Sequence, residues 1–197
     1  MLKWKIVLAG SKDVGKSSLI ARFCDNTFNE KMMDTIGVAF KRKRINLDGK
    51  IDVDLNIWDF GGEEKYRDLF PSYVNGAAGA LILYDTTDKK TIEDLKNWVD
   101  IIDNNQEGVE KLIIGTKIDL KNQREISYDK AKKLSEQFNC CGAPIETSAK
   151  TGENVEDAFL TLAKQILKNK MQECEHCGEF YPKKLKYCSY CGEKCTS

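Results

Sequence analysis

Gly10, Gly15, Lys16 and Ser17 stand at the spacing G-x-x-x-x-G-K-S, between the apolar run IVLA (6–9) and the helical pattern KSSLIARF (16–23). Between a strand and a helix this spacing makes a phosphate cradle. Backbone N–H groups over Asp13, Val14, Gly15, Lys16, Ser17 and Ser18 wrap the phosphates, the Lys16 ammonium reaches the terminal ones, and the Ser17 hydroxyl holds Mg²⁺. Three further loops extend this chemistry. In WDFGGEEKY (58–66), Asp59 is placed to hold the magnesium through water. Gly62, with no Cβ in the way, offers a backbone N–H to a γ-phosphate. In GTKID (115–119), which contains Thr116, Asp119 accepts from the N1 and N2 donors of guanine while the Lys117 stem lies over the ring. In ETSAK (146–150), the Ala149 N–H, between Ser148 and Lys150, meets guanine O6. Adenine presents a donor in place of O6 and lacks the N2 group, a mismatch worth several kcal/mol, so these loops select guanine.

The other concentration of chemistry is at the end of the chain. Of eight cysteines, five (Cys174, Cys177, Cys188, Cys191, Cys195) fall in the last 24 residues. Cys174-x₂-Cys177 and Cys188-x₂-Cys191 are each followed by a glycine, Gly178 and Gly192. A C-x₂-C turn presents two thiolates to one metal, and two such turns complete a tetrahedral S₄ zinc site. So short a segment needs a staple to fold, and the expected role of the zinc is structural. His176 is the alternative ligand, and Cys195 is left over. Cys24, Cys140 and Cys141 read as ordinary packed or partly exposed thiols.

The elements that position these loops follow from the change of apolar period along the chain. IVLA, IDVDLNIWD (51–59), ALILYD (80–85) and KLIIGT (111–116) read as strands; three are continuous apolar runs, as when both faces of a parallel sheet are covered, and the alternating IDVDLNIW belongs nearer an edge. TIEDLKNWVDII, SYDKAKKLSEQF and NVEDAFLTLAKQILKN read as helices, the last with Val155, Ala158, Phe159, Leu162 and Ile166 on one face. Asp48-Gly49 reads as the turn of a hairpin joining VAFKRKRINL to IDVDLNIW. The expected fold is α/β: a doubly wound, mostly parallel six-stranded sheet with one antiparallel hairpin strand, residues 1–170, followed by a small zinc-ribbon-like module, residues 171–197. In such sheets ligands sit beyond the carboxyl ends of the strands, where all four loops lie.

Lysine plus arginine and aspartate plus glutamate stand at 31 each in 197 residues, so no global field favours nucleic acid or an acidic membrane. KKLK (183–186) and Tyr181 offer a little basic and aromatic surface, but the module holds four lysines against four glutamates, so nucleic acid is not the expected partner. The run KRKR (41–44) reads as a charged sheet edge that resists strand-to-strand aggregation, with a partner patch as the alternative. No segment has the length of a membrane span, and no recognised lipidation signal is present. The expected place is the cytoplasm, with membrane contact only through a partner.

With five nucleotide motifs in order over roughly residues 3–170, the chain resembles the small GTPases of the Ras superfamily. TIGVAF, WDFGGEEKYRDLFPSYVNGA and ETSAKTGENVEDAF are most similar to Rab proteins. The resemblance implies that Thr35 binds Mg²⁺ and γ-phosphate, that Phe28 packs on the guanine edge, and that Phe40, Trp58 and Tyr73 present the nucleotide state to effectors. It also implies an exchange factor and an activating protein. Thr116 replaces the family's asparagine, WDFGG resembles the Arf branch, Glu63 stands where a glutamine orients the attacking water, and Lys12 and Asp13 occupy a loop interior that usually has a glycine. The expected activity is a slow Mg²⁺-dependent hydrolysis of GTP by a molecular switch, with Lys16, Thr35, Gly62, Glu63 and Lys12 at the reacting phosphate. The alternative is a guanine-nucleotide-binding interaction module that hardly hydrolyses and docks through its zinc ribbon.

Overall fold

The computed structural model describes residues 2–33, 35–62 and 67–194; the expectations placed on Glu63 and Cys195 lie outside these described residues. In chain order the elements are β1 (Leu2–Ala9), α1 (Lys16–Asp25), β2 (Val38–Leu47), β3 (Ile51–Phe60), α2 (Phe70–Val74), β4 (Gly79–Asp85), α3 (Lys89–Glu93), α4 (Leu95–Asn105), β5 (Glu110–Thr116), α5 (Tyr128–Gln137), β6 (Ile145–Glu146), α6 (Val155–Lys170), β7 (Met171–Glu173) and β8 (Phe180–Pro182). Among the described residues one six-stranded sheet runs β2-β3-β1-β4-β5-β6, and a second pairs β7 with β8. In the large sheet only β2 is antiparallel, held to β3 from Val38↔Phe60 to Leu47↔Ile51; the other pairings are parallel. The hairpin and the mostly parallel, doubly wound order are those expected from the sequence.

The apolar strand runs feed two cores by simple alternation. Leu81 and Leu83 of β4 and Leu112 and Ile114 of β5 face α1 and α6, in a cluster with Leu19, Phe159 and Leu162. Ala80, Ile82 and Tyr84 of β4 and Ile113 of β5 face α2, α4 and α5, in a cluster with Phe70, Trp98 and Ala131. A strand with both faces covered needs an apolar residue at every position, which is why these runs are unbroken. In β3 the alternation reports its place one strand in from the edge: Val53, Leu55 and Ile57 enter the first core, while Asp54, fully buried, takes Arg42 and Arg44 of the edge strand as partners.

The basic run is consumed by local pairing. Lys41 meets Asp25 at 3.0 Å, Arg44 Nε donates to Asp54 Oδ1 at 2.9 Å, Arg42 pairs with the same carboxylate, and Lys43 lies over the Phe23 ring. One expected helix is divided. TIEDLKNWVDII is split at Asp94 into α3 and α4; the Asp94 N–H keeps its bond to the Lys90 carbonyl at 3.1 Å, while its carboxylate is drawn off to Ser11 and Arg67. No described helix is long and apolar enough to cross a membrane.

The cysteine module follows α6 without a linker. Met171 is buried in the first core and Phe180 packs against it; the Lys183 N–H donates to the Lys170 carbonyl at 2.9 Å. These contacts are at the end of the sheet opposite the four loops, beside Leu2 and the start of β3.

Candidate functional site

A cavity of about 410 Å³ opens at the carboxyl ends of the strands, and the loop after β1, the loop before β2, the end of β3 and the loops after β5 and β6 all reach it. One end of the cavity is the start of α1. Gly15, at φ 93°, makes the turn into the helix with no side chain capping it, and no acidic residue stands in the first turn. The free N–H groups and the positive end of the helix dipole therefore face the cavity, as an anion requires. Lys16 Nζ, nearly fully buried, donates to the Gly10 and Ser11 carbonyls at 2.7 and 2.8 Å. Burial pulls its pKa down to about 8, against the pull of Asp59 and Asp13.

Beside this lysine three oxygen side chains from three segments converge. Ser17 Oγ and Thr35 Oγ1 are 2.7 Å apart, Ser17 Oγ also donates to Asp59 Oδ2, and Thr35 Oγ1 lies 3.3 Å from that oxygen. Burial raises the Asp59 pKa, opposed by the bonds from Ser17 and Thr35 and by the Lys16 charge. Its other oxygen, Oδ1, is buried with no partner among the described residues. An orphaned carboxylate oxygen next to two hydroxyls is the hard-oxygen donor set that suits Mg²⁺. Gly62 lies on the loop itself: a Cβ there would stand 2.5 Å from the Lys12 nitrogen and 2.6 Å from Lys16 Nζ, so any side chain would wedge the two segments apart.

The other end is built from the loops after β5 and β6. Asp119 Oδ1 accepts from Ser148 Oγ at 2.6 Å, which orients the carboxylate. Lys117, in the left-handed region at φ 60°, is tied to Asp85 at 2.6 Å. Thr116, buried, has its Oγ1 2.7 Å from the Val14 carbonyl and 3.0 Å from that of Tyr84, so it joins the end of β5 to the loop after β1. Phe28, Ala149 and Lys150 complete the wall, with Lys150 Nζ 2.6 Å from Glu30 across the opening. Of the residues expected from sequence, Lys12, Asp13, Gly15, Ser18, Phe28, Thr35 and Gly62 line the cavity with Lys16, Ser17, Thr116, Lys117, Asp119, Ala149 and Lys150. Val14, Ser148 and Asp59 stand behind the wall and hold those that do.

Arg22 was not legible. Its Nε donates to the Ala149 carbonyl at 2.7 Å and Nη2 to that of Lys150 at 2.9 Å, so α1 carries the loop after β6. The partners are over a hundred positions away, and no local pattern signals that pairing. Outside the cavity, Phe40, Trp58 and Tyr73 form a chain of ring contacts at 5.4 and 5.8 Å between centroids, with Phe40 half-exposed.

In the C-terminal module the Sγ atoms of Cys174, Cys177, Cys188 and Cys191 all lie within 4.8 Å of one another. Cys174 and Cys191 are 3.6 Å apart, and Cys177 and Cys188 3.7 Å. A tetrahedron with Zn–S bonds of about 2.3 Å has edges of about 3.8 Å, so the spacing suits that ion. Gly178 and Gly192 have φ of 73° and 79°, and each N–H closes its turn onto the carbonyl of the first cysteine. His176 is exposed and outside this set. Tyr181 is buried beneath Cys174 and Cys188, because its ring fills the small interior of the module; it offers no stacking surface.

The sheet order, the loop into α1 and the cavity at the strand ends define a P-loop nucleotide-binding protein. The Ras family model matches residues 5–168. GTP-binding protein ypt2 of Schizosaccharomyces pombe is 40% identical over 168 residues, covering 85% of this chain and 82% of that protein. Ras-related protein Rab-8B of Homo sapiens and of Pongo abelii is 38% identical over 186 residues, covering 92% of this chain and 88% of theirs. The chain belongs to the Ras family. It is a Rab-like small GTPase, a switch that binds and hydrolyses GTP.

Proposed function

We propose that the cavity holds GTP or GDP with the roles divided as follows. The amides from Asp13 to Ser18 and the Lys16 ammonium take the phosphates. Phe28, Lys117, Asp119 and Ala149 take guanine, supported by Thr116, Ser148 and Lys150. Ser17, Thr35 and Asp59, the last through water, hold Mg²⁺, and Thr35 and Gly62 sense the γ-phosphate. The observation that carries this reading is the meeting of Ser17, Thr35 and the half-satisfied Asp59 carboxylate beside the buried Lys16. A Mg²⁺ bound there would neutralise charge on the β- and γ-phosphate oxygens. Water attacks the γ-phosphorus in line, the bond to the β–γ bridging oxygen breaks, and Lys16 and the loop amides stabilise the charge that spreads. Lys12, whose backbone lies under Gly62, adds positive charge from within the chain, and Glu63 takes the position of the family's water-orienting glutamine, turned toward Lys12 or toward solvent until a partner repositions it.

Phe40, Trp58 and Tyr73 form the face through which partners read the switch, and Cys174, Cys177, Cys188 and Cys191 hold one structural zinc in residues 171–197, apart from the GTPase domain of residues 1–170. Single-turnover GTP hydrolysis with Mg²⁺ tests the reading. The intact protein is expected to prefer GTP over ATP by about a thousandfold or more, and Lys12→Gly to slow hydrolysis by about tenfold. Equal affinity for ATP would sink the base assignment; an unchanged or faster rate in Lys12→Gly would remove Lys12 from the chemistry.

A further inference from the structure

Asp94 occupies the position from which an aspartate ordinarily caps the helix that follows, yet its carboxylate makes no bond to the α4 backbone. It gathers side chains from three directions instead. Ser11 Oγ of the phosphate loop donates to Oδ2 at 2.8 Å. Arg67, the first described residue after Gly62, donates from Nη2 to Oδ2 at 2.6 Å and from Nη1 to Oδ1 at 3.2 Å. Trp98 Nε1 of α4 donates to Oδ2 at 2.9 Å and Asn97 Nδ2 to Oδ1 at 2.8 Å. The Arg67 guanidinium also lies over the Trp98 ring, 4.6 Å from its centroid. Its Nε is buried without an acceptor among the described residues, so the two-point grip of the carboxylate and the ring contact hold this side chain.

The same Ser11 that donates to Asp94 accepts from Lys16 Nζ at 2.8 Å through its carbonyl. A chain of direct contacts therefore runs Arg67–Asp94–Ser11–Lys16, and beside it Gly62 lies on Lys12. Ser11, Arg67 and Asp94 do not line the cavity, so none of them contributes to holding the nucleotide directly. What they share is the spacing between two segments that must both meet the γ-phosphate.

We propose that Asp94 is a positioning residue for hydrolysis: it clamps Arg67 to the phosphate loop and so sets where Gly62 stands relative to Lys12 and Lys16. Displacing a reacting group by about 1 Å costs up to a hundredfold in rate, whereas binding through the amides of α1 and the base loops does not depend on this clamp. The bidentate Arg–carboxylate geometry gives the clamp direction as well as strength, and Asp94→Asn keeps an acceptor for Ser11 and Trp98 while removing the charge that Arg67 requires.

The inference rests on hydrolysis in this cavity, and the rate of the unaltered protein tests that separately. Full-length protein loaded with Mg²⁺ and nucleotide is compared with Asp94→Asn, Arg67→Ala and Arg67→Lys in single-turnover GTP hydrolysis and in GDP dissociation. Nitrogen–proton spectra of the tryptophan indoles are recorded alongside, with the Trp98 resonance identified by Trp98→Phe. Asp94→Asn and Arg67→Ala are expected to slow hydrolysis about tenfold or more, to leave GDP dissociation within about twofold, and to move the Trp98 indole resonance. Arg67→Lys, which keeps the charge, recovers part of the rate. The proposal is overturned if hydrolysis in both Asp94→Asn and Arg67→Ala stays within about twofold of the unaltered protein. It is equally overturned if GDP dissociation rises by the factor by which hydrolysis falls, since that is general loosening and not positioning.

Discussion

Asp13 carries a negative charge into the loop that, in the function proposed above, takes the phosphates. Its backbone takes the left-handed conformation, φ 62°, which aspartate tolerates better than most residues, so the backbone amides can wrap phosphate while the carboxylate lines the same cavity. That charge favours the protonated Lys16 but opposes the phosphates. One unit charge near a highly charged ligand at a partly solvated site is worth about 1 kcal/mol. Asp13→Asn, which keeps the conformational tolerance, is expected to slow GDP release about three- to tenfold, as measured by dissociation of a fluorescent GDP analogue. An unchanged rate would mean that the carboxylate is turned away and screened. The lysine next to it has the opposite sign and a different role, which the hydrolysis assay of Lys12→Gly separates.

At the scale of the element, the β2–β3 hairpin depends on one buried carboxylate. Asp54 lies between Arg42 and Arg44 of the edge strand, and the hydrogen bond from Arg44 above all, with Arg42 beside it, holds its pKa down at about 2 against the cost of burial. A carboxyl whose pKa is depressed in the folded protein contributes stability above its unfolded value, near 4, and loses that contribution as pH falls through about 2. Urea unfolding of Asp54→Asn at neutral pH is expected to show lower stability than the unaltered protein, with the difference shrinking from pH 4 to pH 2. A difference that stayed constant across this window would show that packing and not charge is what the substitution removes. The run KRKR, expected as a charged sheet edge, is mostly exposed, and two of its four cations, Arg42 and Arg44, also serve the buried acid of the neighbouring strand.

For the whole molecule the consequence concerns metal. The first core includes Met171 and is contacted by Phe180, so the cysteine module is built onto the larger domain and not tethered to it. Each such side chain contributes about 1.5–3 kcal/mol when fully buried, and 1 kcal/mol moves the melting temperature of a chain this size by about 2–4 °C. Cys188→Ser, or zinc-selective chelation in excess Mg²⁺, is expected to release the zinc and to lower the melting temperature of the nucleotide-bound protein by about 5–10 °C. GDP affinity should change less than about threefold, because the module sits at the opposite end of the sheet from the cavity. An unchanged melting temperature would mean that Met171 and Phe180 stay packed without metal.

Where chemistry and local geometry require particular residues at short range, the chain could be read directly. The phosphate loop, the glycine that admits close approach at position 62, the paired C-x₂-C turns with their left-handed glycines, and the apolar runs of β4 and β5 all act within a few residues of themselves, through backbone conformation and period. The division of α3 from α4, the capture of Arg67 by Asp94, the support of Ala149 by Arg22 and the burial of Tyr181 were not legible. Each depends on which groups the fold brings together: Asp94 and Arg22 reach partners far along the chain, and Tyr181 is enclosed only where the two cysteine turns meet. Only the folded chain decides which distant donor meets which carboxylate or carbonyl, because that choice depends on where the sheet order and helix packing bring the segments together, and nothing in the local sequence encodes it.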